Sequence, residues 1–259
     1  DALILNHDCS GGIPEVLQGL DQPILPPARL GWSTRKKSRH FTFYNAIAKQ
    51  FAEHIGLDPW LLSCEHQVAD SVDFEDHDSI LRLQESLSTQ LSRTREAYAD
   101  RGIDQSPFAA LKSDVGTYGM AVMMIDNPDE VTSLNKKQRQ HMTRHKGGAS
   151  AVPFLLQEGI PSVETWRDAI AEPVVYCIGS QVVGGVYRLH GQKGATDNLN
   201  APGMDFEPLP FGESLNVPVD NEEHECCVNR FYVCGIVARL AVLAASQEKA
   251  EAMAKGDAI

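Results

Sequence analysis

Lys112-Ser113-Asp114-Val115-Gly116-Thr117-Tyr118-Gly119-Met120 joins two apolar runs, Phe108 to Leu111 and Met120 to Ile125. Glycines between antiparallel strands let backbone N–H groups close over phosphate oxygens, and a lysine on the incoming strand adds a point charge. The segment lacks the ending and the following helix of a P-loop. A plain hairpin with a glycine bulge is the alternative use of the same residues. Further on, Gln157-Glu158 close an apolar run, where an adenine and a ribose could be gripped. Glu172, Asn198 and Asn200 offer carboxylate and amide oxygens of the kind that hold Mg²⁺ between protein and phosphates. Arg188, on a strand expected to face the same cleft, could neutralise a phosphoryl group in transfer. Singly, each has a plainer use as a solvated acid, a core strand or a turn. Their serial order favours a nucleotide site.

Two other groups of polar residues stand out. Asn6, Asp8 and Ser10 follow a short apolar run, at the carboxyl end of a strand, where open α/β sheets place ligands. Asp8 could receive an amino group and Ser10 a carboxylate; an Asx-turn satisfying its own backbone is the equal alternative. Arg35-Lys36-Lys37 would draw in anionic substrates or form a solvated basic face. The same two uses apply to Lys136, Lys137, Arg139, Arg144 and Lys146, with a mobile phosphate-facing segment as the functional one. His224-Glu225-Cys226-Cys227 resembles a metal motif, but adjacent cysteines chelate one ion poorly, and a polar loop is the better reading.

The elements that must position these residues read as mixed α/β with an antiparallel second half. Tyr44, Ile47, Phe51 and Ile55 repeat at helical spacing and predict a helix over 43–55, stopped by Gly56 and Pro59. Ile80, Leu83, Leu87, Leu91 and Tyr98 predict a second over 79–98, capped by Asp78. Between them, 63–76 shows no period and reads as loop. Strands are expected at 108–111, 120–125 and 152–156, and a hairpin at 173–178 and 181–189 turns through Gly179-Ser180. A last helix, about 229–253, is apolar nearly all round through Ala245. Leu3-Ile4-Leu5 opens the chain as a strand without lead-in, which suggests further strands of its sheet outside this chain.

The 259 residues carry 23 Lys+Arg against 35 Asp+Glu, a net charge of −12. That balance argues against general nucleic-acid binding, which needs clustered basic residues. The apolar run 231–245 is broken by Arg239 and falls short of the ~20 residues of a membrane helix. No membrane association is expected. Six scattered cysteines read as reduced thiols of a cytoplasmic protein.

The order of motifs resembles the ATP-grasp enzymes, and more closely the proteobacterial-type glutamate–cysteine ligase (γ-glutamylcysteine synthetase) family. The strings that carry the likeness span nearly the whole chain. They include Asn6 to Ser10, Arg35 to Ser38, Asp58-Pro59-Trp60, Lys112 to Met120, Gln157-Glu158-Gly159, Ala171 to Tyr176, Val182 to Arg188, Asn198 to Met204 and Asn229 to Tyr232. Ser63 to Val72 departs from the family pattern, and a late Glu-x-Asn metal pair is missing. The resemblance implies an α/β (α+β) fold, ATP-grasp-like, with antiparallel sheets holding ATP between two lobes. Residues 1–60 would end an N-terminal substrate domain and 61–259 would form the catalytic region. It implies joining of the L-glutamate γ-carboxylate to the L-cysteine amine through an acyl phosphate, with ATP and Mg²⁺ as cofactors. Lys112 and Arg188 would be catalytic. Lys112, Gly116, Thr117, Tyr118, Gly119, Gln157 and Glu158 would bind ATP. Asn6, Asp8, Ser10 and Arg35 would bind substrate, and Glu172, Asn198 and Asn200 the metal. A homo-oligomer stays open, as do a glutathione synthetase-like ligase and a nucleotide-binding module without catalysis.

Overall fold

The computed structural model describes residues 1–5, 9, 12–28, 35–115, 121–143, 152–209 and 230–254. The chain forms two compact units: residues 1–41, 64–160 and 249–259 make the first, and 42–63 with 161–248 the second. The chain passes from one unit to the other after Phe41, Ser63, Ile160 and Glu248.

In the first unit β1 (Leu3–Ile4) and β2 (Ile24–Leu25) pair in parallel as a two-stranded sheet. The first turn of α1 (Lys37–Ile55) follows. Then come β3 (His66–Val72), α2 (His77–Asp100), β4 (Ala109–Ser113), β5 (Val122–Ile125), α3 (Lys136–Met142) and β6 (Val152–Glu158). The four longer strands form an antiparallel sheet in the order β3-β6-β4-β5. Strand β3 corrects the expected loop over 63–76. It escapes a period search because only Ala69 and Val72 of its seven residues are buried, as suits an edge strand.

Helix α2 covers one face of that sheet. Ile80, Leu83, Leu87 and Leu91 pack against Ala109, Leu111, Phe154 and Leu156. Full burial of each leucine contributes roughly 1.5–3 kcal/mol. The cap is Asp76 rather than Asp78: its carboxylate accepts from Ser79 N at 2.9 Å. Asp78 sits in the first turn, where its charge still favours the helix dipole. Helix α3 has its own capping box, Asn135 with Gln138, and buries Met142. Lys136, Lys137 and Arg139 therefore lie on a helix, while Arg144 and Lys146 fall outside the described residues.

The second unit holds the rest of α1, then β7 (Glu164–Trp166), β8 (Ala169–Ile178), β9 (Gln181–His190), β10 (Asp205–Pro208) and α4 (Arg230–Ala254) as far as Glu248. Its sheet is antiparallel in the order β10-β9-β8-β7, and Gly179 (φ 58°) turns the expected hairpin. Trp166, Ala171, Tyr187, Leu189 and Phe231 form its core. Gly185 is required by packing: a Cβ there would lie 2.5 Å from Leu209 Cδ1 and 2.6 Å from Val174 O. A second cluster joins Tyr44 and Ala48 of α1 to Leu240 and Ala244 of α4. The apolar run expected to be too short for a membrane belongs to a longer helix. By length and composition alone, Phe231–Ala252 could cross one. Of the described cysteines, Cys9 and Cys64 are buried and Cys177 and Cys234 half-buried.

Candidate functional site

In the first unit, Lys112 stands opposite Leu155 of β6 and Val122 of β5, and Ala110 opposite Gln157. Side chains alternate along strands. Lys112 and Gln157 therefore share the face away from α2, while Leu111, Phe154, Leu156 and Glu158 share the face that α2 covers. The first turn of α1 borders the Lys112 face: Lys112 Nζ lies 5.9 Å from the Phe41 ring centroid, and Phe41 is 5.5 Å from the His66 ring.

That turn is stitched to the end of β4. The buried Asp114 carboxylate accepts from Ser38 N and from Ser38 Oγ, both at 2.7 Å. Lys37 N donates to Asp114 O at 2.9 Å, and Lys37 Nζ to Ser113 O at 2.8 Å. The reason is electrostatic. A helix that starts in Arg35-Lys36-Lys37 sets positive charge at its N-terminus, where it opposes the dipole. Asp114 supplies from a distant strand what a local cap would. Burial, reinforced by Lys112 and opposed by Asp114, lowers the Lys37 ammonium to about 8. Two ammonium groups thus influence each other directly before the segment Gly116 to Gly119.

Glu158 does not join Lys112 and Gln157. Its buried carboxylate accepts from Glu65 N at 3.2 Å on the α2 side, and burial raises its pKa. Beside Gln157, burial pushes the Cys64 thiol up to about 11, so it is a packed thiol rather than a nucleophile.

In the second unit, Glu172 and Arg188 are direct cross-strand partners on β8 and β9. Arg188 Nη1 lies 3.4 Å from Glu172 Oε2, and Ser162 Oγ donates to Glu172 Oε1 at 3.0 Å. The neighbouring Tyr187 points into the core, its hydroxyl donating to Glu164 at 2.6 Å. Asn198 closes an Asx-turn, accepting from Asn200 N at 3.0 Å. Two of the three expected Mg²⁺ ligands are therefore engaged by protein donors. Among the described residues no three of His, Cys, Asp and Glu gather as an ion site. The set does not fit a preformed metal centre.

Arg35 Nη2 lies 3.3 Å from His40 Nδ1. Asn6, Asp8, Ser10, Gly116, Thr117, Tyr118, Gly119 and the His224 to Cys227 loop lie outside the described residues. Sequence reasoning passed over Asp114 and Ser162 and saw in Lys37 only part of a basic run. A helix start rich in positive charge was the available signal for Asp114.

The chain matches the glutamate-cysteine ligase (GshA) family over residues 1–249. A solved protein from Methylobacillus flagellatus KT, provisionally described as a gamma-glutamylcysteine synthetase, is 45% identical with a TM-score of 0.85. The alignment covers 96% of this chain and 59% of that one, so the chain spans about three fifths of its relative's length. No curated protein matches significantly. A match over nearly all of the chain places it by sequence, and the solved relative agrees in fold: the chain belongs to the glutamate-cysteine ligase family.

Proposed function

We propose that this chain contributes to ATP-dependent joining of the L-glutamate γ-carboxylate to the L-cysteine amine, on an ATP-grasp-like fold. The observation that carries the reading is the placement of Lys112 and Lys37 at the end of β4, immediately before the glycine segment. A carboxylate is a poor electrophile, so it must first be phosphorylated. One γ-carboxylate oxygen attacks the γ-phosphorus and ADP leaves. The cysteine amine then attacks the acyl carbon, phosphate leaves with that oxygen, and the nitrogen loses a proton.

What this asks of the protein is positioning and charge neutralisation. Lys112 and Lys37 hold phosphates, and the segment Gly116 to Gly119 covers them. Gln157, on the same face as Lys112, serves the nucleoside. Arg188 carries the phosphoryl charge. Asn6, Asp8, Ser10 and Arg35 are retained as substrate ligands. Mg²⁺ would arrive with the nucleotide, drawing most ligands from phosphates and water. Six scattered cysteines without paired spacing suit a cytoplasmic enzyme.

The test is ADP release by the full-length enzyme with glutamate alone, then with cysteine, glycine and γ-glutamylcysteine added in turn. Full turnover requires glutamate and cysteine together. Turnover only with γ-glutamylcysteine and glycine would transfer the chain to the following ligation, and no turnover with any pair would end the ligase reading.

A further inference from the structure

Glu172 was expected to hold a metal, and its surroundings argue for another task. It faces Arg188 across the β8–β9 ladder, the closest pairing two strands offer. Both carboxylate oxygens are engaged, Oε1 by the Ser162 hydroxyl at 3.0 Å and Oε2 by Arg188 Nη1 at 3.4 Å. The pair is half-buried, with 26% of the Arg188 side chain and 35% of the Glu172 side chain exposed. Ser162 is itself anchored, its N–H donating to Ala195 O at 2.8 Å.

The guanidinium is left in an informative state. Glu172 takes Nη1 alone, and among the described residues the buried Arg188 Nε has no hydrogen-bond partner. An orphan buried N–H is costly unless something accepts from it. Nε and Nη2 form the parallel fork that a carboxylate or phosphoryl oxyanion grips with two bonds. The ion pair thus fixes one edge of the guanidinium and leaves the Nε–Nη2 edge outside it.

We infer that Glu172, held by Ser162, is a positioning residue that orients Arg188 toward an oxyanion, and that it is not a metal ligand. This rests on the ligase reading above, in which Arg188 meets the transferred phosphoryl group. A mis-set guanidinium should lower kcat, since an error of about 1 Å in a catalytic group can cost on the order of 100-fold. It should leave the demand for Mg²⁺ unchanged.

The experiment uses full-length enzyme with glutamate, cysteine and ATP, and compares wild type with Glu172→Gln and Ser162→Ala at a series of Mg²⁺ concentrations. Glutamine keeps the shape and removes the charge. The expected result is a fall in kcat of about 10- to 100-fold for Glu172→Gln and about 3- to 10-fold for Ser162→Ala, with half-saturating Mg²⁺ within about twofold of wild type. Ser162→Thr, which restores the hydroxyl, should recover most of the loss. Urea midpoints of each variant separate misfolding from misplacement. A tenfold or larger rise in half-saturating Mg²⁺ for Glu172→Gln, with kcat recovered in excess Mg²⁺, would overturn the inference and leave the ligase reading standing. An unchanged kcat in both variants would overturn it equally. A wild type without turnover would instead remove the ligase reading on which the inference stands.

Discussion

Replacing Asp114 by alanine removes the carboxylate that ties β4 to the start of α1. Two hydrogen bonds of 2.7 Å to Ser38 are lost from a site that is 1% exposed. Bonds to a charged group contribute about 1.5–3 kcal/mol each, and the released Ser38 hydroxyl regains water, so the net loss should be about 2–4 kcal/mol. A second consequence concerns Lys37. Asp114 raises its pKa against burial and Lys112, so without Asp114 the ammonium loses its proton at lower pH than about 8. The variant's ATP affinity should therefore fall at lower pH than that of wild type, whose own fall centres near pH 8. Urea unfolding followed by circular dichroism reads the first effect, and calorimetric ATP titrations at neutral and alkaline pH read the second. An unchanged midpoint together with unchanged ATP affinity at both pH values would refute the reasoning. Asp114→Asn keeps one acceptor for Ser38 N and should retain roughly half of the stability.

Lys112→Met should weaken ATP binding by roughly 10- to 150-fold, the worth of one charge-assisted phosphate contact, with a stability loss under about 1.5 kcal/mol. ATP dissociation constants and urea midpoints on the same sample check both. Glu158 has a folded pKa above its ordinary 4.5, so its charge penalises the folded state increasingly as pH climbs from that value through the raised one. The stability of Glu158→Gln relative to wild type should accordingly increase from acid to neutral pH, and a flat difference in urea unfolding would contradict it. Gly185→Ala must displace Leu209 and the Val174 carbonyl, and should lower stability by about 1–3 kcal/mol, measurable as a shift in thermal midpoint.

Much of the frame was legible where one periodic signal dominates. The α2 stripe from Ile80 to Tyr98 is a buried face at helical spacing, and Gly179 supplies the positive φ of the expected hairpin. Strand β3 was hidden because an edge strand can carry His66, Gln67 and Asp70 without a burial penalty. The hairpin between β7 and β8 was missed because Arg167 and Asp168, rather than glycine, take the positive-φ turn positions at 48° and 63°. For the site, Lys112 could be named from local sequence, since a strand and a glycine segment flank it. The latch of Lys37, Ser38 and Asp114 joins residues 76 positions apart, a pairing that only the fold creates. Likewise Glu172 reads as a metal ligand by residue type, and its cross-strand register with Arg188 gives it a different partner.

The acyl-phosphate route is tested most directly by following an oxygen atom. Glutamate labelled with ¹⁸O in both γ-carboxylate positions is supplied with ATP and cysteine to the full-length enzyme, and the released phosphate is analysed by mass spectrometry. The account predicts one ¹⁸O per phosphate formed, because the oxygen that attacks phosphorus leaves with it when the amine closes the amide. Phosphate without label, alongside γ-glutamylcysteine production, would contradict it.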